Sequence, residues 1–159
     1  MPKVAIPPFM LEPETRHPVL GGSLGPHAHA VIGDAAGLTQ FGCHLERLPP
    51  GSTSSHRHWH ESEDELVYLL AGAVVLIEDE ETVLRAGDAA AWRADDPVGH
   101  RLENRSDADA LDLVVGTRSM ADVVHYTDAG LTLTITERRH RVFTEATGAT
   151  GAIVAKYDR

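Results

Sequence analysis

The chain has 159 residues, 42% of them hydrophobic and 24% charged, which is the composition of one ordinary globular domain and excludes disorder over most of its length. Its formal net charge of −10 disfavours nucleic acid and anionic membrane surfaces as partners, and no apolar run approaches the ~20 residues of a membrane-spanning helix. The single cysteine, Cys43, excludes an internal disulfide and a cysteine-based zinc cluster and fits a reducing compartment, the cytoplasm.

Residues 1–37 are rich in Pro and Gly, lack the apolar h-region of a secretory signal, and predict an irregular arm with at most one short strand. From residue 38 the pattern changes to short β segments punctuated by turn residues. Strands are expected at 38–48, closed by Pro49-Pro50-Gly51, at 56–60, and at 65–70, closed by Ala71-Gly72. A hairpin over 73–77 and 82–84 brackets the acidic turn 78–81, and further strands are expected at 89–92, 100–104 and 110–115, with Gly116 ending the last. No stretch between 38 and 116 keeps a helical period, so this part reads as an all-β barrel or sandwich. Beyond it, 119–124 is expected to form one helical turn, 131–136 and 141–144 a C-terminal hairpin, and 147–151 a loop.

Ten histidines are present, and their spacing decides which carry chemistry. In the segment His56-Arg57-His58-Trp59-His60 a strand points the three histidines to one side and Arg57 and Trp59 to the other. Two imidazoles at i and i+2 can converge on one ion. A carboxylate from the adjoining segment would complete the set, and Glu61, Glu63, Asp64 and Glu65 are all within reach. Glu65 opens the apolar run Leu66-Val67-Tyr68-Leu69-Leu70 and, placed inward, shares a face with Val67 and Leu69, whereas Glu61 and Glu63 fall in a polar turn.

The run His58, His60, Glu65, Gly72 has the spacing His-x-His, four residues, Glu, six residues, Gly. It resembles the first motif of the cupin superfamily. A shift to His56 and His58 would require the closing glycine at Leu70. The second cupin motif is matched at its ends, by Gly87-Asp88 and by His100 with Asn104. Its middle departs, with Arg93-Ala94-Asp95 where Pro-x-Gly is usual and two extra residues before the histidine. The resemblance covers roughly 38–116. It implies a double-stranded β-helix, or jelly-roll barrel, over 38–116, with the irregular arm 1–37 and a C-terminal extension 117–159 packing on the barrel or a partner subunit. It also implies one divalent transition metal (Fe, Mn, Ni, Co, Cu or Zn) held by His58, His60, Glu65 and His100, with positions left open for a small-molecule ligand. A homodimer is the expected assembly.

The same resemblance spans dioxygenation, isomerisation and lyase chemistry on a small oxygenated or sugar-like metabolite, with Glu65 as a possible base. Its alternative is binding or sensing without turnover. His56, Tyr68 and Trp92 are expected to contact the substrate, and Ser54, Ser55 and Asn104 to support the ligands. His27-Ala28-His29 mimics the motif, but no apolar strand comes after it. His44 is expected at the surface, as are Arg93 and Arg101.

Overall fold

The computed structural model describes residues 3–12, 16–146 and 151–158. In chain order the strands of the first half are β1 (Met10–Glu12), β2 (Arg16–His17), β3 (Gly21–Ser23), β4 (His27–Ala30), β5 (Phe41–Leu48), β6 (His58–His60), β7 (Glu65–Ala71) and β8 (Ala73–Ile77). The second half holds β9 (Glu81–Arg85), β10 (Ala89–Trp92), β11 (Arg101–Glu103), β12 (Ala110–Thr117), β13 (Ala121–Tyr126), β14 (Leu131–Thr136), β15 (His140–Glu145) and β16 (Ile153–Asp158). The helix α1 is a single turn at Ile32–Ala35.

The strands form two facing layers. One is the sheet β1-β4-β5-β12-β7-β10. The other joins β11-β8-β9 to β16-β15-β14-β13-β6 through a bridge between His58 and His100, whose backbones exchange N–H···O bonds of 3.2 and 3.0 Å. The core between them is Leu48, Val67, Leu69, Ala110 and Trp92 from the first layer against Val74, Leu76, Leu84 and Leu102 from the second. Alternation along each strand produces this: β7 buries Val67 and Leu69 and turns Leu66, Tyr68 and Leu70 to the outside. Burying an aliphatic side chain is worth about 1.5–3 kcal/mol, so the register of β7 is firmly set, because a slip of one residue would exchange those two sets.

Gly72 carries the chain from one layer to the other. Its φ is 79°, and a Cβ there would lie 2.7 Å from the Asp109 carbonyl oxygen and 2.9 Å from Ala110 Cα. Only glycine fits a left-handed backbone pressed so closely on a neighbouring strand. The motif's closing glycine is therefore a packing requirement.

Several expectations are corrected at the ends of the chain. Among its described residues the arm holds four short strands rather than one, and β4 pairs along β5 with β1 outside it, so the arm completes the barrel sheet. Val19 and Leu20 of the same arm cover a second small core of Val124, Leu133 and Phe143. Residues 121–126 form β13 instead of a helical turn: Val123 and Val124 are β-branched, and the strand lies between β6 and β14. Gly116 lies inside β12 and does not end it. The C-terminal hairpin forms as β14–β15, and β16, which the sequence did not signal, pairs onto it. The loop expected at 147–151 falls, except for Gly151, outside the described residues. Among the described residues no helix is long and apolar enough to cross a membrane.

Candidate metal centre

Three polar side chains converge on Glu65 at the inner end of β7. Its Oε2 lies 3.3 Å from His100 Nε2 and 3.8 Å from Nε2 of both His58 and His60. The imidazole rings are mutually close, with His58 centred 4.9 Å from His60 and 5.1 Å from His100. The strand alternation of β6 aims His58 and His60 the same way. The bridge to His58 delivers His100, and β7 pairs against β12 and β10 to bring Glu65 beneath them.

The outer nitrogens of all three rings are already committed. Nδ1 of His58 donates to the His56 carbonyl at 2.8 Å, Nδ1 of His60 to Asp122 Oδ2 at 2.6 Å, and Nδ1 of His100 to the Val98 carbonyl at 3.1 Å. In the tautomer that keeps its proton at Nδ1, a ring presents a bare Nε2 lone pair to the centre. Ligand atoms of His58, Glu65 and His100 lie within 4.8 Å of one another and His60 Nε2 joins them at the same Glu65 oxygen, a cluster of acceptors that favours positive charge among them. Ligand bonds of roughly 2.0–2.2 Å, meeting at tetrahedral or octahedral angles, put ligand atoms roughly 3–3.6 Å apart, close to the separations found. The residues fit a divalent ion of the first transition series, for which an imidazole and carboxylate set without thiolate is suited.

The electrostatics agree. Burial works to raise the Glu65 carboxyl, but the His100 contact and the neighbouring imidazoles of His58, His100 and His60 hold it at about 2. Burial pushes His58 down to about 4, so that ring is neutral. For His60 burial acts to lower the pKa, yet the bond and charge of Asp122 raise it overall. Asp122 is itself 4% exposed, and its Oδ1 accepts the Ser62 N–H at 2.9 Å. His60, Glu63 and Asp122 also lie close enough to hold an ion. Their atoms are used internally, however: Asp122 by His60 and Ser62, and Glu63 by the Ser119 N–H at 2.9 Å.

The centre opens onto a cavity of about 190 Å³, lined among others by His44, Glu46, Ser55, Trp92, Arg101 and Val114. At ~30 Å³ per water this is room for roughly six waters. Trp92 stacks on His100 at 3.6 Å with an interplanar angle of 5°, and its indole N–H donates to Glu78.

The remaining expectations divide. Trp92 reaches the cavity. Tyr68 does not: it is 39% exposed on the outer face of β7, opposite in parity to Glu65. His56 is not on the cavity wall either. It lies beneath the arm, its ring 5.9 Å from His17 and its Cε1 close to Gly22, because the strand begins only at His58. Ser55 Oγ is 3.2 Å from His58 Nδ1, whereas Ser54 accepts the Leu102 N–H and Asn104 ties the Leu48 and Ala108 carbonyls, away from the ligands. His44 faces inward rather than to solvent, as does Arg101, while Arg93 lines a groove outside the cavity. Trp59 points away from the centre and stacks on His125 at 4.0 Å. Sequence reasoning missed Glu46, Asp112 and Asp122. For the first two the alternation of polar and apolar residues is the same as on a strand with one face in water, so it does not mark them as enclosed.

A two-layer β-barrel that gathers a His-x-His pair, a glutamate and a later histidine at one inner point is the architecture of the cupins. The chain belongs to the cupin superfamily: residues 44–116 match the cupin domain. It is similar over nearly its whole length to a crystal structure from Silicibacter pomeroyi described as a sugar phosphate isomerase from a cupin superfamily, at TM-score 0.82 and 36% identity, covering 94% of this chain and 99% of that one. A protein from Acidithiobacillus ferrooxidans, to which the same activity is assigned provisionally, matches at TM-score 0.72 and 27% identity over 76% of each chain. A predicted oxalate decarboxylase from Thermotoga maritima matches at TM-score 0.52 and 26% identity, over 60% of this chain and 83% of that one. No curated protein matches the sequence.

Proposed function

We propose that the chain is a metal-dependent enzyme that isomerises a small polyhydroxylated carbonyl compound of the sugar phosphate class. The observation that carries this reading is the set of three imidazoles with Nδ1 committed and Nε2 turned towards Glu65 at the wall of the cavity. The full-length similarity to the Silicibacter protein favours isomerisation over the dioxygenase and lyase chemistry that the sequence left open. A bound divalent ion would supply Lewis acidity to oxygens on adjacent carbons.

The chain's own residues do the rest. His58, His60, His100 and Glu65 hold the ion, and their outer hydrogen bonds keep the rings from turning. Trp92 fixes the plane of His100 and closes one wall. Arg101, on the cavity wall, offers positive charge to a phosphate group. It is steadied by Glu103 at 2.8 Å and Asp128 at 2.9 Å. We place the protein in the cytoplasm as a homodimer, with the exposed apolar residues Leu66, Tyr68 and Leu70 of β7 as the subunit contact.

The test is elemental analysis of freshly purified protein, then NMR of aldose and ketose phosphates incubated with the metal-loaded chain. One equivalent of metal and interconversion in both directions are expected. Ligand-induced stabilisation without turnover across the panel would make it a binding protein. Metal-free protein unaffected by substitution of His58, His100 or Glu65 would end the metal reading altogether.

A further inference from the structure

Strand β5 turns His44 and Glu46 towards the same cavity as the proposed ligands, yet neither belongs to the group that converges on Glu65. Glu46 is 8% exposed. Its direct cross-strand partner on β12 is Asp112, fully buried, with neither carboxylate oxygen hydrogen-bonded. On the other side β4 sets His29 directly opposite Glu46, and the His29 ring is 6.5 Å from that of His44. The row His29–Glu46–Asp112 crosses the sheet at the point where the register of β12 shifts against β7. The other charged or titratable groups on the wall this row faces are Glu65 from β7, His58 from β6, His100 bridged to His58, and Arg101 from β11. Among the described residues no ion pair joins Glu46 or Asp112 to a lysine or arginine, and the row does not close on a common point as a metal site does.

A carboxyl buried without a cation keeps its proton. Burial first, then Asp112 and Glu65, push Glu46 well above the carboxylate range. Burial and the neighbouring imidazole of His29 push His44 the other way, against the pull of Glu65, so its ring stays neutral. Two groups two residues apart on one strand face, roughly 6.6 Å along the backbone, are thus a neutral acid and a neutral base. Environments that drive two titrating groups apart in this way assign the acid and the base of a site.

We infer that His44 and Glu46 are the acid–base pair of the cavity, working on a ligand held at the metal centre, with Asp112 as a positioning residue behind Glu46. This rests on the isomerase reading. His44 takes the proton from the carbon beside the carbonyl. The C–H electrons form a carbon–carbon double bond, and the carbonyl oxygen takes the proton of Glu46. The resulting enediol returns its second hydroxyl proton to the Glu46 carboxylate. His44 then delivers its proton to the former carbonyl carbon. Both residues end as they began, and the aldose has become a ketose. Glu65, engaged by three imidazoles, is left to the ion.

The test uses the full metal-loaded chain. Its infrared spectrum at neutral pH is expected to show the carbonyl stretch of a neutral carboxyl group that Glu46→Gln loses. With aldopentose and aldohexose phosphates in heavy water, His44→Gln and Glu46→Gln should keep their metal and their KM but lose about 10²–10⁴-fold in kcat. His44→Gln should also stop deuterium entry at carbon. A carboxyl band unchanged in Glu46→Gln, or variants that match a wild type that does turn over, would overturn this assignment alone. A wild type that exchanges no carbon-bound hydrogen in any of these compounds would end the isomerase reading, and the assignment with it.

Discussion

Asp122 Oδ2 accepts a hydrogen bond from His60 Nδ1 at 2.6 Å, from a strand 62 positions further along the chain. The ring of a proposed ligand is thereby oriented by a residue that belongs to neither cupin motif. Asp122→Ala should leave the fold intact while weakening metal binding by about 10–100-fold. Competition with a chelator of known affinity measures it, and an unchanged affinity would show that the ring needs no such support.

Glu65→Gln removes the one anionic group at the centre. Affinity should fall further than in the Asp122 variant. The protein should purify with well under one equivalent of metal, as read by elemental analysis, and with cooperative unfolding retained.

Asp112 gives a stability signature. Its carboxyl is pushed up to about 7 from an ordinary 3.8, by burial first and by Glu65 second. The folded chain therefore holds this proton where the unfolded chain has released it. The stabilisation is complete below the ordinary carboxylate range and is lost as pH rises through the folded value. The metal-free protein should lose on the order of 4 kcal/mol from this group between about pH 4 and pH 8. Asp112→Asn should flatten that slope in urea titrations; an identical slope in the variant would sink the account.

Gly72→Ala adds a methyl group where 2.7 Å separates the ideal Cβ position from the Asp109 carbonyl oxygen. Left-handed strain alone costs about 1–3 kcal/mol, and the clash adds to it. Chemical denaturation should show a lower midpoint with an unchanged m-value.

Leu66 and Tyr68 are 40% and 39% exposed beside Leu70 on the outer face of β7. The double substitution Leu66→Ser with Tyr68→Ser should convert a dimer to a monomer by light scattering without reducing metal content. A dimer that survives it would place the subunit contact elsewhere.

The barrel strands were legible because short apolar segments are separated by turn residues at close intervals. That pattern is local, so β7, β8 and β10 fall where it put them. The ends were harder to read. Residues 121–126 pair between β6 and β14, and a strand whose partners lie far along the chain carries little local signature. Tyr68 and His56 show the same limit. Tyr68 comes an odd number of residues after Glu65 and so faces the other way, while His56 precedes the strand and escapes its alternation.

The sequence by itself indicated which side chains come together, through the spacing of His58, His60, Glu65 and Gly72 and its resemblance to the first cupin motif. Only the tertiary structure decided what surrounds them. His44, Glu46 and Asp112 look like the solvent face of a strand until two layers close over them, and Asp122 meets His60 only when β13 docks along β6. Whether a polar face is wet or enclosed depends on what packs against it, and a strand's own residues do not carry that information.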